Sequence, residues 1–356
     1  MSIEWMDNFQ NYGTDETNLL DGVYADYNDA ILSADPDGVS TGRVIKISSA
    51  DSAAGYLRRV FSSNLTTVGI GARYWFTTLP TSSTYLPSFV MFNDVANATN
   101  VSLSLGTTGI ISAYRGNAST GTLLGSTTVP VVTAGAWYHI EAKVLASQTV
   151  GTVEVRVNET TVLTLTGQDT VSGSNVHFSQ AVFASDLNAD GSGVCTPFYI
   201  KDLIAWNDSG SLNNDFMGDV NIVSLYPDTD VSLNWTPSTG TDGSNLIDES
   251  ITDDTDYISA DATPPAAFEC TLTDVDDEVV LVKGTQIVVR ALKTDAGAAN
   301  LQAALVSNGD VGNGADRAVT VAATYWSDVL ELDPDTGTAW SPTSLNAANL
   351  RLNRTA

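Results

Sequence analysis

The chain has 356 residues, 15 Lys and Arg against 42 Asp and Glu, a formal net charge of -27 and a hydrophobic share of 43%. That length exceeds what one hydrophobic core usually serves, so two domains are expected. Binding to nucleic acid or an anionic bilayer is driven by clustered Lys and Arg, so the charge excludes both as partners, and no apolar run approaches the roughly 18 residues of a membrane span. The acidic excess serves solubility; support of divalent cations, or display at high density in an assembly, remain open beside it.

Thr, Ser, Val, Gly, Asp and Asn are abundant while Lys, Arg and Glu are sparse, which favours strands and turns over helices. An all-β protein is expected. Cys195 and Cys270 fall in different predicted domains, so no disulfide framework is expected and a reducing site of synthesis is the simpler reading. Met1 to Asn8 carries no basic region followed by an apolar run, so no secretory signal is expected.

Taken in order, residues 1 to about 30 hold the aromatics Trp5, Phe9, Tyr12, Tyr24 and Tyr27. They suit either a cap on the end of a sandwich or a platform for stacking sugars. From Arg43 the alternation becomes regular, through Val44, Ile45 and Ile47, then Tyr56–Phe61, then Thr67–Phe76. Such β-branched and aromatic runs bounded by Ser, Asn, Gly and Pro are strands. Gly69 and Gly71 share one face of the third run and leave room for a bulky neighbour or mark a bulge.

Strands continue at Phe89–Phe92, Val101–Leu105, Ile110–Tyr114 and Thr122–Thr127. Short strands at regular intervals with no helices between them predict a sandwich. In Trp137–Val144, Trp137, His139, Glu141 and Lys143 face one way and Tyr138, Ile140, Ala142 and Val144 the other, as in a half-buried antiparallel strand. Val153, Val155 and Val157 alternate with Glu154 and Arg156, and Asn158-Glu159 turns the chain into Val162–Leu165. Val176–Ser179 with Ala181–Phe183, and then Phe198–Trp206, complete the set.

The composition predicts a first domain over 1–208, a polar linker over 209–217 and an acidic β-sandwich over 218–356. In the second domain, Thr236 to Pro265 is expected to wrap the surface as loops. Strands are expected at Phe268–Leu272, Glu278–Val282, Gln286–Leu292, Leu301–Val306, Ala318–Ala322 and Ser327–Leu332. Ser341 followed by Pro342 predicts a short helix over about 342 to 349, with Ser as the N-cap and Pro in the first turn.

Candidate chemistry is thin. His139 and His177 are the only histidines and neither has the His or Cys neighbours a zinc site needs; His139 reads as a cross-strand packing residue. Gly38-Val-Ser-Thr-Gly42 matches a nucleophile elbow but is preceded by the turn Asp35-Pro-Asp and followed by a strand, the wrong context. The paired-carboxylate pattern of laminarinase-like hydrolases does not occur. Asp186, Asn188 and Asp190, followed by Gly191, match the first half of a calcium loop, but its twelfth position is Pro197 rather than Glu. Calcium at these three residues stands beside a bare turn; no other cofactor and no catalytic residue is expected. The acidic stretch Asp248 to Asp256 is a weaker candidate still.

The strand Gly135–Val144, the hairpin start Val153–Asn158 and the closing Phe198–Leu203 resemble the laminin-G/concanavalin-A-like domain over roughly residues 1 to 208. Trp5–Phe9 with Asn18–Tyr24, Phe216–Pro227 and Leu332–Pro342 resemble bacteriophage virion proteins that join a lectin-like domain to a second β domain. The resemblance implies a two-sheet jelly roll followed by a smaller β-sandwich. It also implies a non-enzymatic structural or adhesion component of a phage tail, fibre or capsid surface, assembled with other virion proteins as a homotrimer in the host cytoplasm and able to contact host polysaccharide. A free carbohydrate-binding module and, behind it, a glycoside hydrolase are the alternatives.

Overall fold

The computed structural model describes residues 1–12, 16–20, 22–38, 42–48, 55–81, 87–185, 197–250, 253–261 and 266–356. The chain forms two compact units, one of Met1–Phe9 with Tyr24–Ile222, the other of Gln10–Val23 with Val223–Ala356. Both are built of antiparallel β-sheet, a two-sheet jelly roll first and a smaller β-sandwich second.

The strands of the first unit are β1 (Ile3–Asp7), β2 (Asp26–Asn28), β3 (Ala30–Ala34), β4 (Arg43–Ile47), β5 (Gly55–Leu65), β6 (Thr67–Phe76), β7 (Ser88–Asn93), β8 (Thr99–Leu105), β9 (Ile111–Arg115), β10 (Thr122–Ser126), β11 (Trp137–Leu145), β12 (Gly151–Val157), β13 (Thr160–Gln168), β14 (Phe178–Ser185) and β15 (Phe198–Asn207). The larger sheet runs β13-β12-β11-β6-β15-β4-β3, with β1 also paired to β15; the smaller runs β10-β9-β8-β7-β14-β5-β2. Tyr74 and Phe76 of β6 meet Phe89 of β7 edge-on between the sheets at 5.3 and 5.7 Å, and Phe198 of β15 packs beside Tyr74 and Phe76 at 6.2 and 5.9 Å. Between the bulges, alternation along β6, β11 and β15 sends one set of side chains into this core and the other to the sheet's outer face. Asn158 and Glu159 take φ of 46° and 65°, the left-handed pair of a type I′ hairpin turn.

Two local devices shape the larger sheet's outer face. Between the pairs Lys201↔Arg73 and Ile204↔Gly71, β15 advances three residues against two on β6, a one-residue bulge at which Asp202 takes φ 51°. Beyond it the Trp206 indole lies flat against Gly69, where an added Cβ would sit 2.0 Å from the ring. The paired glycines thus make room for a tryptophan.

Four of the five N-terminal aromatics are interior, and Tyr27 is half-buried. Trp5, Phe9 and Tyr24 are buried; Asp7 pairs with Arg59 and accepts a hydrogen bond from Tyr24, and the Arg59 guanidinium stands 4.5 Å from the Trp5 ring. Tyr12 belongs to the second unit and packs edge-on against Tyr325 at 5.5 Å. None of these four offers a sugar platform.

In the second unit the main sheet orders Pro227–Ser232, Phe268–Leu272, Asn349–Arg354, Asn300–Ser307 and Asp310–Asn313, with Arg317–Ala318 also paired to Asn300–Ser307. Thr285–Ala291 pairs with Thr324–Leu330 in a separate ribbon. Trp235, Phe268, Ile287, Leu305, Trp326 and Trp340 share one core. The helix forms over Pro342–Asn346, with Ser341 and Ser344 in a reciprocal capping box. Glu278–Val282 is not a strand, however. Asp276 turns the chain through its carbonyl and carboxylate, and Val280 is left 91% exposed with no strand beside it. Ala318–Ala322 likewise keeps only the Arg317–Ala318 pairing, because the Thr320 hydroxyl bonds the Ala322 carbonyl and folds the segment on itself.

Candidate functional site

The outer face of the larger sheet carries the unit's concentration of aromatic and charged side chains. Register aligns Ile31, Lys46, Tyr199, Trp75 and Trp137 directly opposite one another across β3, β4, β15, β6 and β11. Directly opposed residues share a face, so these form one row. At a spacing of about 4.8 Å between strands, the row is about 19 Å long. Trp75 and Trp137 meet edge to face at 5.8 Å, and the row's members are half-buried or exposed.

Asp35, in the turn after β3, braces one end of the row. Its carboxylate accepts from Trp137 Nε1 at 3.1 Å and from Lys201 Nζ at 2.6 Å. The same ammonium lies 4.2 Å from the Trp137 ring centroid, so the indole is fixed by a hydrogen bond at its edge and a cation at its face.

Further along this face lie Arg73 and His139, opposite each other, then Gly71, Glu141 and Arg156. Here the chain covers its own sheet. Residues 209–217, expected as a linker, belong to the first unit, and 215–222 run across the face as a strap. Glu141 Oε1 accepts the backbone N–H groups of Met217 and Gly218 at 2.7 and 3.1 Å. Asp202 accepts that of Ile222 at 3.0 Å. Arg73 Nε donates to Asp219 at 2.9 Å, Lys143 pairs with Asp215, and the Arg156 guanidinium stacks 3.7 Å above the Phe216 ring. Gly218 takes φ 77°, the left-handed conformation glycine accepts without strain.

Electrostatics follow from this cover. Burial pushes the Glu141 carboxyl above the usual carboxylate range, against the pull of the two amides and Arg156. Asp202 is raised for the same reason, opposed by the Ile222 amide, Arg73 and Lys201. His139 is lowered by burial, with Asp219 and Glu159 opposing and Arg73 reinforcing. Its two ring nitrogens and Glu141 Oε2 have no hydrogen-bond partner. His139 is 2% exposed and Glu141 fully buried, so these two acid–base groups are sealed from a ligand. What stays accessible includes the row of aromatics with Lys46, suited to stacking and hydroxyl contacts, and the half-exposed Asp219 carboxylate on the strap.

Of the sequence candidates, Asp186, Asn188 and Asp190 lie outside the described residues, as does Ser40. Gly38 closes the turn begun by Asp35 with φ 68°. His177 lends its backbone carbonyl to the Asn100 side chain. Within the acidic stretch, Asp254 makes a two-pronged pair with Arg290. Among the described residues no three His, Cys, Asp or Glu are grouped to hold a metal. Asp35, Trp75, Tyr199 and Lys46 escaped the sequence reading as a group, although Gly69, Gly71, Arg73 and Trp75 alternate on one face of a single run and could have pointed there.

No family model matches the sequence. No curated protein matches it. Among solved structures, the chain is similar to the alginate lyase Aly36B (14% identity, 58% of this chain and 96% of that one, TM-score 0.37). It is also similar to an endo-beta-1,4-glucuronan lyase from the fungus Trichoderma reesei (7%, 52% and 93%, 0.38) and to the carbohydrate-binding module CBM66 from Bacillus subtilis (6%, 52% and 96%, 0.33). A sialidase is matched over 57% of this chain and 18% of its own, at 14% identity and TM-score 0.41. These likenesses concern backbone architecture alone. The expectation of a phage structural component is corrected here: none of the neighbours named is a virion protein.

Proposed function

We propose that the first unit is a carbohydrate-binding module that takes a glycan chain across the outer face of its larger sheet. The observation that carries this reading is the row of Tyr199, Trp75 and Trp137, three aromatics brought level on adjacent strands and left open beside Lys46. Aromatic faces stack on the apolar faces of sugar rings, and braced side chains lose little freedom in doing so. The Asp35 carboxylate and Lys201 ammonium supply that bracing for Trp137. Binding rather than turnover is the role, because His139 and Glu141 lie beneath the strap.

The test is a glycan array followed by affinity electrophoresis in the retained polysaccharides, with Trp75→Ala and Tyr199→Ala. Neither side chain bonds Asp35; Trp75 packs edge-on against Trp137, so Trp75→Ala should lower the unfolding temperature modestly, and both variants are assayed well below it. Each is expected to weaken retardation about tenfold, the equivalent of about 1.4 kcal/mol. Retention undiminished in the double variant would refute the assignment.

A further inference from the structure

Resting on that reading, we infer that the glycan is an uncharged polymer and not a polyuronate or sulfated chain. The inference comes from the charges of the outer face. A site for a polyanion needs cations free to meet it, either as unpaired ammonium groups or as guanidinium forks open to a carboxylate or sulfate. Of the cations on this face, Lys201 is taken by Asp35, Arg73 by Asp202 and Asp219, Lys143 by Asp215 and Arg156 by Glu154, all within 3.6 Å. Arg156 is further committed to the Phe216 ring. Lys46 alone has no carboxylate partner among the described residues, and Glu141 adds an acid whose Oε1 is taken by the Met217 and Gly218 amides.

The face is therefore close to neutral, set in a chain of net charge -27. A polyanion would meet long-range repulsion on approach and no compensating pair on arrival. A neutral chain meets neither obstacle, and its hydroxyls find donors and acceptors in Lys46 and Tyr199 within the row and in the half-exposed Asp219 carboxylate on the strap. Apolar ring faces against the tryptophans and hydroxyls against these groups make one coherent ligand class.

The experiment uses the full chain in affinity gels cast with neutral glucans, mannans, xylans and galactans, and in parallel gels with alginate, polygalacturonate and a sulfated galactan. Salt is varied from about 0.05 to 0.5 M, a range over which screening of surface charges becomes nearly complete. The expected result is retardation by at least one neutral polymer, lost in Trp75→Ala and changed less than about twofold by salt, with none by the polyanions at low salt. Polyanion retardation that is lost in Trp75→Ala would overturn the ligand class while leaving the binding site standing. Retardation by no polymer of either set would remove the binding reading itself.

Discussion

Glu141 anchors the strap, and removing its carboxylate should loosen residues 215–222 while sparing the sheet. One oxygen serves two amides, of which Met217 N–H is buried and Gly218 N–H partly so. Glu141→Ala leaves the buried donor without an acceptor, a penalty of about 1–3 kcal/mol, whereas the Gly218 amide can turn to water at little cost. At about 1.4 kcal/mol per decade, hydrogen exchange at Met217 should accelerate about 5- to 150-fold. Glu141→Gln keeps an accepting oxygen and should stay within about threefold of the parent. The pH dependence has a definite sign. Burial sets the folded pKa above the unfolded value, so the Glu141 contribution to global stability is full below the unfolded pKa and is lost as pH rises through the folded pKa, while the Met217 and Gly218 amides oppose this by favouring the carboxylate. Urea unfolding should show global stability falling as pH rises through the folded pKa in the parent and a weaker dependence in Glu141→Gln. Amide exchange resolved by NMR or peptide mass reads the loosening of the strap. Unchanged protection at Met217 and Gly218 in Glu141→Ala would refute the anchoring role.

Gly69→Ala should force the Trp206 ring off the sheet, since the new Cβ would stand 2.0 Å from it; a loss of at least about 3 kcal/mol, at the upper end of overpacking costs, is expected in denaturant unfolding. His139 has a folded pKa below its unfolded one, so its contribution is full above the unfolded pKa and is lost as pH falls through the folded pKa. His139→Leu should therefore flatten the decline in stability below about pH 6.5 and leave stability at pH 8 unchanged or higher, because neither ring nitrogen has a partner to lose. Asp35→Ala should cost about 2–3 kcal/mol, less than the ~3–5 of a fully buried pair because Lys201 keeps 17% exposure; urea unfolding followed by far-UV circular dichroism measures it. Cys270 is buried, and burial, with Asp230, Glu269 and Asp228 adding, pushes its thiol up to about 12. Its peptide should resist iodoacetamide at pH 8 until the chain is unfolded, as mass mapping would show.

Alternation made the jelly roll legible. The in/out assignment of Trp137–Val144 holds residue for residue, and Gly69 with Gly71 announced a bulky neighbour that proves to be Trp206. The helix at Pro342 was equally plain, because Ser341 and Pro342 state their roles locally. The binding row was not legible as a unit: Trp75, Tyr199 and Lys46 each stood in a recognised strand, but their alignment depends on register between strands far apart in sequence, which hydrophobic pattern alone does not give. The strap was hidden for another reason. Its polar composition reads as a linker, while much of its hold on the sheet comes from backbone N–H groups of Met217, Gly218 and Ile222, which every residue except proline possesses. Glu278–Val282 failed in the opposite direction, an apolar run with no neighbouring strand to pair with.

The excursion of Gln10–Val23 into the second unit sets a clock on synthesis. Its Asn11 carbonyl accepts from the Tyr325 hydroxyl, 314 residues later, and Tyr12 packs on the same ring. At roughly 5–20 residues per second on the ribosome, those partners follow the segment by roughly 16–60 s. The Asn11 and Tyr12 contacts with Tyr325 can therefore form only after nearly the whole chain has emerged. A fragment beginning at Val223 would lack it altogether and bare Tyr325, so the second unit is complete only in a chain that carries both ends.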